Sequence, residues 1–263
     1  MTSPLSCSIL VSSSDAYSDL WTPFFTLFRR NWPDCPYPVY LGTNQAQFDH
    51  RGVRTLNAGA DESWSKNLRF FLSQIDSDYV LFLLEDFFLV KRVPTPLVSE
   101  QLMSLHTLGG AMLRLFPNPP PHLRVKGHSG IGSVHRFAPF RVSAQAALWK
   151  RADLLALLAD GESPWEFERN GTDRSRSRSE GFYCTYKPVL PYIHVVEQGR
   201  WFRSAARRFG SANIGCDFEQ RGVIPASASA KKAVHSLVRY VANRASGLVL
   251  RARGGNPCQE LHS

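Results

Sequence analysis

Its five cysteines, Cys7, Cys35, Cys184, Cys216 and Cys258, are odd in number, scattered and never paired as Cys-x-x-Cys. That spacing excludes a disulfide framework and a thiolate zinc site. No apolar run approaches the roughly 18 residues that a membrane span requires. The opening Met1-Thr2-Ser3-Pro4 lacks the basic region and apolar stretch of a secretion signal, so the expected compartment is a reducing cytoplasm. Also missing are a Gly-x-x-x-x-Gly-Lys phosphate loop, a Gly-x-Ser-x-Gly nucleophile elbow and a His-Glu-x-x-His helix, which sets three common chemistries aside. Charged residues are scarce, at 20% against 43% hydrophobic, the balance of a globular chain with a sizeable core.

Charge of one sign is in excess: 31 Lys and Arg face 22 Asp and Glu, a formal net charge of +9. Such a surface attracts nucleotide phosphates, polyanions or an anionic membrane face. No helix-turn-helix, zinc-finger or RNA-recognition signature accompanies it, so nucleic acid is not an expected partner. The 263 residues carry no linker between two plausible cores. One domain is expected over 1–225, followed by a basic, amphipathic or disordered tail over 226–263. In that tail Val234, Leu237, Val238 and Val241 share one helical face, which suits either a helix packed back on the domain or a peripheral membrane contact.

Short apolar runs closed by polar turns predict strands at Ser8–Ser12, Pro38–Leu41, Val53–Leu56 and Tyr79–Leu84. Helical spacing predicts helices from Asp15 or Ser18 through Arg30 and over Ser63–Ile75. Alternation of strands and helices points to an α/β fold with a central, mostly parallel sheet, and ligands of such sheets bind beyond the carboxyl ends of strands. Further elements are expected as a helix over Leu97–Leu108, strands over Ala111–Leu115 and Gln145–Trp149, a helix over Arg151–Ala159 and a late strand over Pro188–Val196. The alternating Arg and Ser of Thr172–Ser179 read as a mobile loop. The glycine-rich Gly127–Gly132, with no strand before it and no helix after it, reads as a flexible acceptor-side loop. His106, His122, His128, His135 and His194 show no metal-ligand spacing.

Glu85 and Asp86 follow the six apolar residues Tyr79–Leu84 directly. Two carboxylates at a buried strand end require positive compensation. A magnesium or manganese ion shared with a diphosphate supplies it, through Asp86 and Glu85, and a cap or an arginine pair is the alternative.

Ser12–Trp21, Trp32–Pro36, Tyr37–Leu41, Trp64-Ser65, Leu83–Phe88, Gln145–Trp149 and Glu162–Glu168 occur in an order that resembles a family of predicted bacterial glycosyltransferases. The likeness spans roughly residues 7 to 201. It implies a GT-A-like, family 2-like nucleotide-diphospho-sugar transferase of surface-polysaccharide or lipopolysaccharide assembly, acting on a saccharide or glycolipid acceptor at the inner membrane face. Carried onto this chain, it puts Ser13, Asp15 and Tyr17 near the donor's base and ribose, and Glu85-Asp86 in the place of an Asp-x-Asp motif. The chain departs from that motif, having no acid two positions after Asp86, which leaves metal use open. Glu166 or Glu168 would act as the base of an inverting transfer, Glu166 in first place. Gln145 would orient a sugar hydroxyl, Trp149 and Trp165 would offer apolar platforms, and Arg200 would approach the diphosphate. A nucleotidyltransferase or a non-catalytic saccharide- or nucleic-acid-binding module are the competing classes.

Overall fold

The computed structural model describes residues 5–128 and 130–225; the tail expected over 226–263 lies outside them. The first half alternates as the apolar runs predict. Strand β1 (Cys7–Ser12) leads through a 3-10 helix (Asp15–Leu20) into α1 (Trp21–Asn31), then β2 (Val39–Thr43), β3 (Val53–Asn57), α2 (Trp64–Ser73) and β4 (Tyr79–Leu84). The helix expected to start at Asp15 or Ser18 is thus two elements, with Pro23 accommodated in the first turn of α1. Ser63 caps α2 by accepting the Lys66 N–H.

The chain continues through β5 (Phe87–Leu89), α3 (Thr95–Thr107), β6 (Gly110–Arg114), β7 (Leu123–Arg124), β8 (Ile131–Ser133), β9 (Ala147–Lys150), α4 (Arg151–Leu157), α5 (Pro164–Ser175) and β10 (Gly181–Thr185). It closes with β11 (Tyr192–His194), β12 (Val196–Glu197), β13 (Arg200–Trp201), α6 (Arg203–Phe209) and α7 (Phe218–Arg221). Three expectations are corrected here. Thr172–Ser175 is the last turn of α5, with Thr172 and Ser175 buried and Arg174 bonded to Glu162 at 2.7 Å. The single late strand over Pro188–Val196 is instead two short strands, β11 and β12. Gly127–Gly132 also ends in β8, which pairs with β10.

Nine strands form one sheet in the order β3-β2-β1-β4-β9-β6-β10-β8-β7. Strands β3, β2, β1 and β4 are mutually parallel, β9 runs against both β4 and β6, and β6 is parallel to β10. In β4, Tyr79, Leu81 and Leu83 enter the core under α1 and α3, while Val80 and Phe82 enter the core under α2, α4 and α5. A strand buried on both faces reads as one continuous apolar run, which is why the sequence showed no alternation there. Gly42 is obligatory in β2, because a Cβ there would fall 2.4 Å from the Phe71 ring of α2.

From β1 the chain winds outward through β2 and β3, then returns to the other side of β1 as β4. The sheet therefore has a topological switch point between β1 and β4, and the crevice beyond their carboxyl ends is where such sheets hold ligands.

Candidate functional site

Ser13 follows β1 and Glu85-Asp86 follow β4, so the register that pairs Ser12 with Leu84 brings these three residues together at the switch point. Glu85 is only 8% exposed. Burial first, then the neighbouring Asp86 carboxylate, pushes its pKa up to about 8, against smaller lowering by its own backbone N–H, the Arg221 charge and the nearby Ser13 hydroxyl. Ser13 is fixed in turn, its Oγ accepting the Trp21 indole N–H at 2.8 Å.

Asp86 Oδ1 is buried and has no hydrogen-bond partner among the described residues. An orphaned buried acceptor costs about 1–3 kcal/mol, so Oδ1 calls for a partner such as an ordered water, a cation or a ligand group. Oδ2 lies 3.6 Å from His194 Nδ1. Phe87–Leu89 continue past the acid pair as β5, and β11 pairs with them so that His194 stands opposite Phe87, its ring edge-on to the phenyl at 4.5 Å. His194 Nε2 is 3.3 Å from the Gln145 side-chain nitrogen, and the Tyr192 hydroxyl donates to Gln145 Oε1. The main chain closes the same unit: Asp86 C=O accepts Val195 N–H at 3.1 Å.

Across the crevice, Arg221 of α7 pairs with Asp19, donates to the Ala16 carbonyl and stacks 4.5 Å over the Tyr17 ring. Its charge acts on Glu85, and Glu85 and Asp86 in turn raise the Tyr17 phenol, for which burial is the larger cause. Asp15 has a different place. Its carboxylate accepts the N–H groups of Asn44, Gln45 and Ala46 at 3.0–3.1 Å, which ties the ends of β1 and β2 together.

The acceptor-side residues divide. Gln145 joins the Asp86 unit through His194. Trp149, expected as a sugar platform, is wholly buried against Phe167 and Phe182 and is a core residue, because neither ring face reaches solvent. Trp165, in the first turn of α5, is 64% exposed. Glu166 forms a capping box: its Oε2 accepts the Ser163 N–H at 2.8 Å and the Ser163 hydroxyl at 2.7 Å, which holds its pKa below the usual carboxylate range. Glu168 Oε1 accepts Ser143 Oγ–H and Ala144 N–H, and Ser143 Oγ accepts Gln145 N–H, so Glu168 braces the turn that carries Gln145. Arg200 is exposed on β13, with Nη2 3.4 Å from the Val223 carbonyl.

Sequence reasoning missed His194, Tyr192 and Arg221. For the first two a signal existed: Phe87-Phe88-Leu89 after the acid pair is an apolar segment in need of a partner strand, and Tyr192-Ile193-His194 is that partner. Arg221, 202 residues from Asp19, left none.

Among the described residues no group of three or more His, Cys, Asp or Glu is arranged to hold a metal ion, and no helix is long and apolar enough to cross a membrane. No protein-family model and no curated protein matches the chain. Among solved structures it is similar to Staphylococcus aureus TarS 1-349 in complex with UDP, at 11% identity and a TM-score of 0.49, over 72% of this chain and 59% of that one. The same TarS fragment in complex with UDP-GlcNAc gives 9% identity and 0.47, over 72% and 57%. A cytidylyltransferase from Leptospira borgpetersenii serovar Hardjo-bovis gives 11% identity and 0.45, over 72% and 82%. The chain spans about three fifths of the TarS fragment it matches.

Proposed function

We propose that the chain is a GT-A-like glycosyltransferase that moves a sugar from a nucleotide-diphosphate donor to a hydroxyl of a saccharide or glycolipid, in bacterial cell-surface polysaccharide assembly. The observation that carries this reading is the carboxylate pair at the switch point: Asp86 with a buried oxygen that finds no hydrogen-bond partner among the described residues, and Glu85 with a pKa raised to about 8. Both features describe a site that a cationic or phosphate-bridged ligand would complete.

The residues fit a divalent ion as partners to a diphosphate rather than as a cage. Asp86 and Glu85 would hold it, and magnesium or manganese would neutralise charge on the leaving diphosphate. In this reading Ser13 and Tyr17 line the nucleotide side of the crevice, and Asp15 keeps its backbone shape. The Arg221 charge acts on Glu85, and a guanidinium there can exchange Asp19 for phosphate oxygens; Arg200 would contribute from β13.

On the acceptor side, Gln145 is held by Tyr192 and His194, linked to Asp86 through the His194 ring, and in this reading it orients a sugar hydroxyl. Trp165 offers an exposed ring face. The attacking hydroxyl must lose a proton as it reaches the anomeric carbon. Glu166 takes it in this reading, by releasing its cap on Ser163, and Glu168 keeps the Gln145 turn in place.

The commitment of Glu166 and Glu168 to internal hydrogen bonds favours a second reading, nucleotidyl transfer at the same carboxylate pair. The products separate the two. Nucleoside diphosphate release with a sugar acceptor supports the first reading, and pyrophosphate release from a nucleoside triphosphate replaces it with the second.

A further inference from the structure

Helix α6 has a composition unlike the other helices: Arg203, Arg207 and Arg208 in seven residues, and no acid. Its buried side is Ala205 and Phe209, the latter packed edge-on against Phe88 of β5 at 5.6 Å. The three arginines are exposed on the other side. Arg208 Nη2 reaches the Val90 carbonyl at 3.5 Å, which brings the helix beside exposed Lys91 and Arg92. Among the described residues, only Arg92 of these five cations has an acidic partner, Asp34 at 3.2 Å. The patch is close to the strand-end site, because Phe202 N–H bonds the Val195 carbonyl and Val195 N–H bonds the Asp86 carbonyl.

We infer that the arginine face of α6 docks the protein on an anionic lipid bilayer. Charge complementarity selects a phosphate-bearing surface, since each Lys or Arg near such a surface contributes about 1 kcal/mol, or roughly a fivefold gain in partitioning. The shape of the patch selects the bilayer over nucleic acid. Single-stranded nucleic acids are held by exposed aromatic platforms within a basic groove, whereas the aromatic residue of α6, Phe209, is buried. The chain beyond Pro225 extends the same charge, with Lys231, Lys232, Arg239, Arg244, Arg251 and Arg253 against the single acid Glu260. Docked in this way, the crevice at Asp86 opens near the headgroups, where a lipid-linked acceptor would present its sugar. The docking itself does not depend on the sugar-transfer reading.

The test is co-sedimentation of the full chain with vesicles of phosphatidylcholine alone or with one quarter phosphatidylglycerol, at low and high salt. Binding is expected only to the anionic vesicles, to be lost in high salt, and to weaken on the order of a hundredfold in Arg203→Ala/Arg207→Ala/Arg208→Ala. The Arg203→Lys/Arg207→Lys/Arg208→Lys variant keeps both charge and binding, and an unchanged melting temperature shows that either variant is folded. Equal binding to neutral vesicles, undiminished binding by the alanine variant, or binding to an RNA oligomer without binding to vesicles overturns the inference.

Discussion

His194 Nδ1 lies 3.6 Å from Asp86 Oδ2, joining the end of β4 to a strand that arrives more than a hundred residues later in the chain. The contact leaves Asp86 Oδ1 buried and without a hydrogen-bond partner among the described residues. The carboxylate is therefore held in orientation on one side and left to accept on the other. His194→Ala removes the orienting group without touching Oδ1, and an outer contact of this kind is expected to change affinity about ten- to a hundredfold. Nucleotide titration of the variant, with and without manganese, checks it.

Glu85 gives the protein a pH dependence of definite sign. Its pKa rises from the ordinary 4.5 to about 8 on folding, so between those values the folded state keeps a proton that the unfolded state has lost. The contribution to stability is full below about pH 4.5 and is lost as pH rises towards 8. Glu85→Gln should flatten this slope and make the protein more stable than wild type at pH 8. Urea midpoints from pH 5 to 9 measure both effects. A divalent ion or cationic group bound at the pair releases the same proton, so its affinity should rise over the same interval.

Glu166 is asked to cap α5 and to accept a proton. Glu166→Gln is expected to lower the melting temperature through the weakened capping box and to slow turnover by about a hundredfold or more. Thermal melting reads the first and steady-state kcat the second. Lower stability with full turnover assigns the residue to the cap alone.

The two tryptophans should separate cleanly. Trp149→Ala empties a wholly buried site between Phe167 and Phe182, at a cost of about 3–5 kcal/mol. Trp165→Ala, at an exposed position, should leave stability within about 0.5 kcal/mol while raising KM for the saccharide acceptor. Denaturation curves and acceptor kinetics on the same two variants decide the matter.

How far the sequence carried follows from the same residues. Strands β1 and β4 and helices α1 and α2 were readable because their burial is strong and local: a continuous apolar run for a strand covered on both faces, and helical spacing for a helix covered on one. Glu85 and Asp86 stood out because acids rarely follow six apolar residues directly. The Arg-Ser stretch was misread since its order comes from elsewhere, from the Ser163 cap upstream and the Arg174–Glu162 pair, neither of which appears in its own composition. Trp149 lies in the core instead of at a sugar for a different reason, as a strand residue's face is set by register, which a short strand does not announce. Arg221 and His194 reach the crevice through pairings over long sequence separation, and no local pattern encodes those.

The central claim rests on Asp86 and its unpartnered oxygen. Thermal stabilisation of the full chain by UDP, GDP, CMP and dTDP, each with and without manganese, tests it most directly, since a ligand bound only by the folded state raises the melting temperature. The account predicts a manganese-dependent rise with one nucleotide that vanishes in Asp86→Ala, whose own melting temperature is no lower than wild type. A well-folded protein that responds to none of them, or an Asp86→Ala variant that responds as fully as wild type, would contradict it.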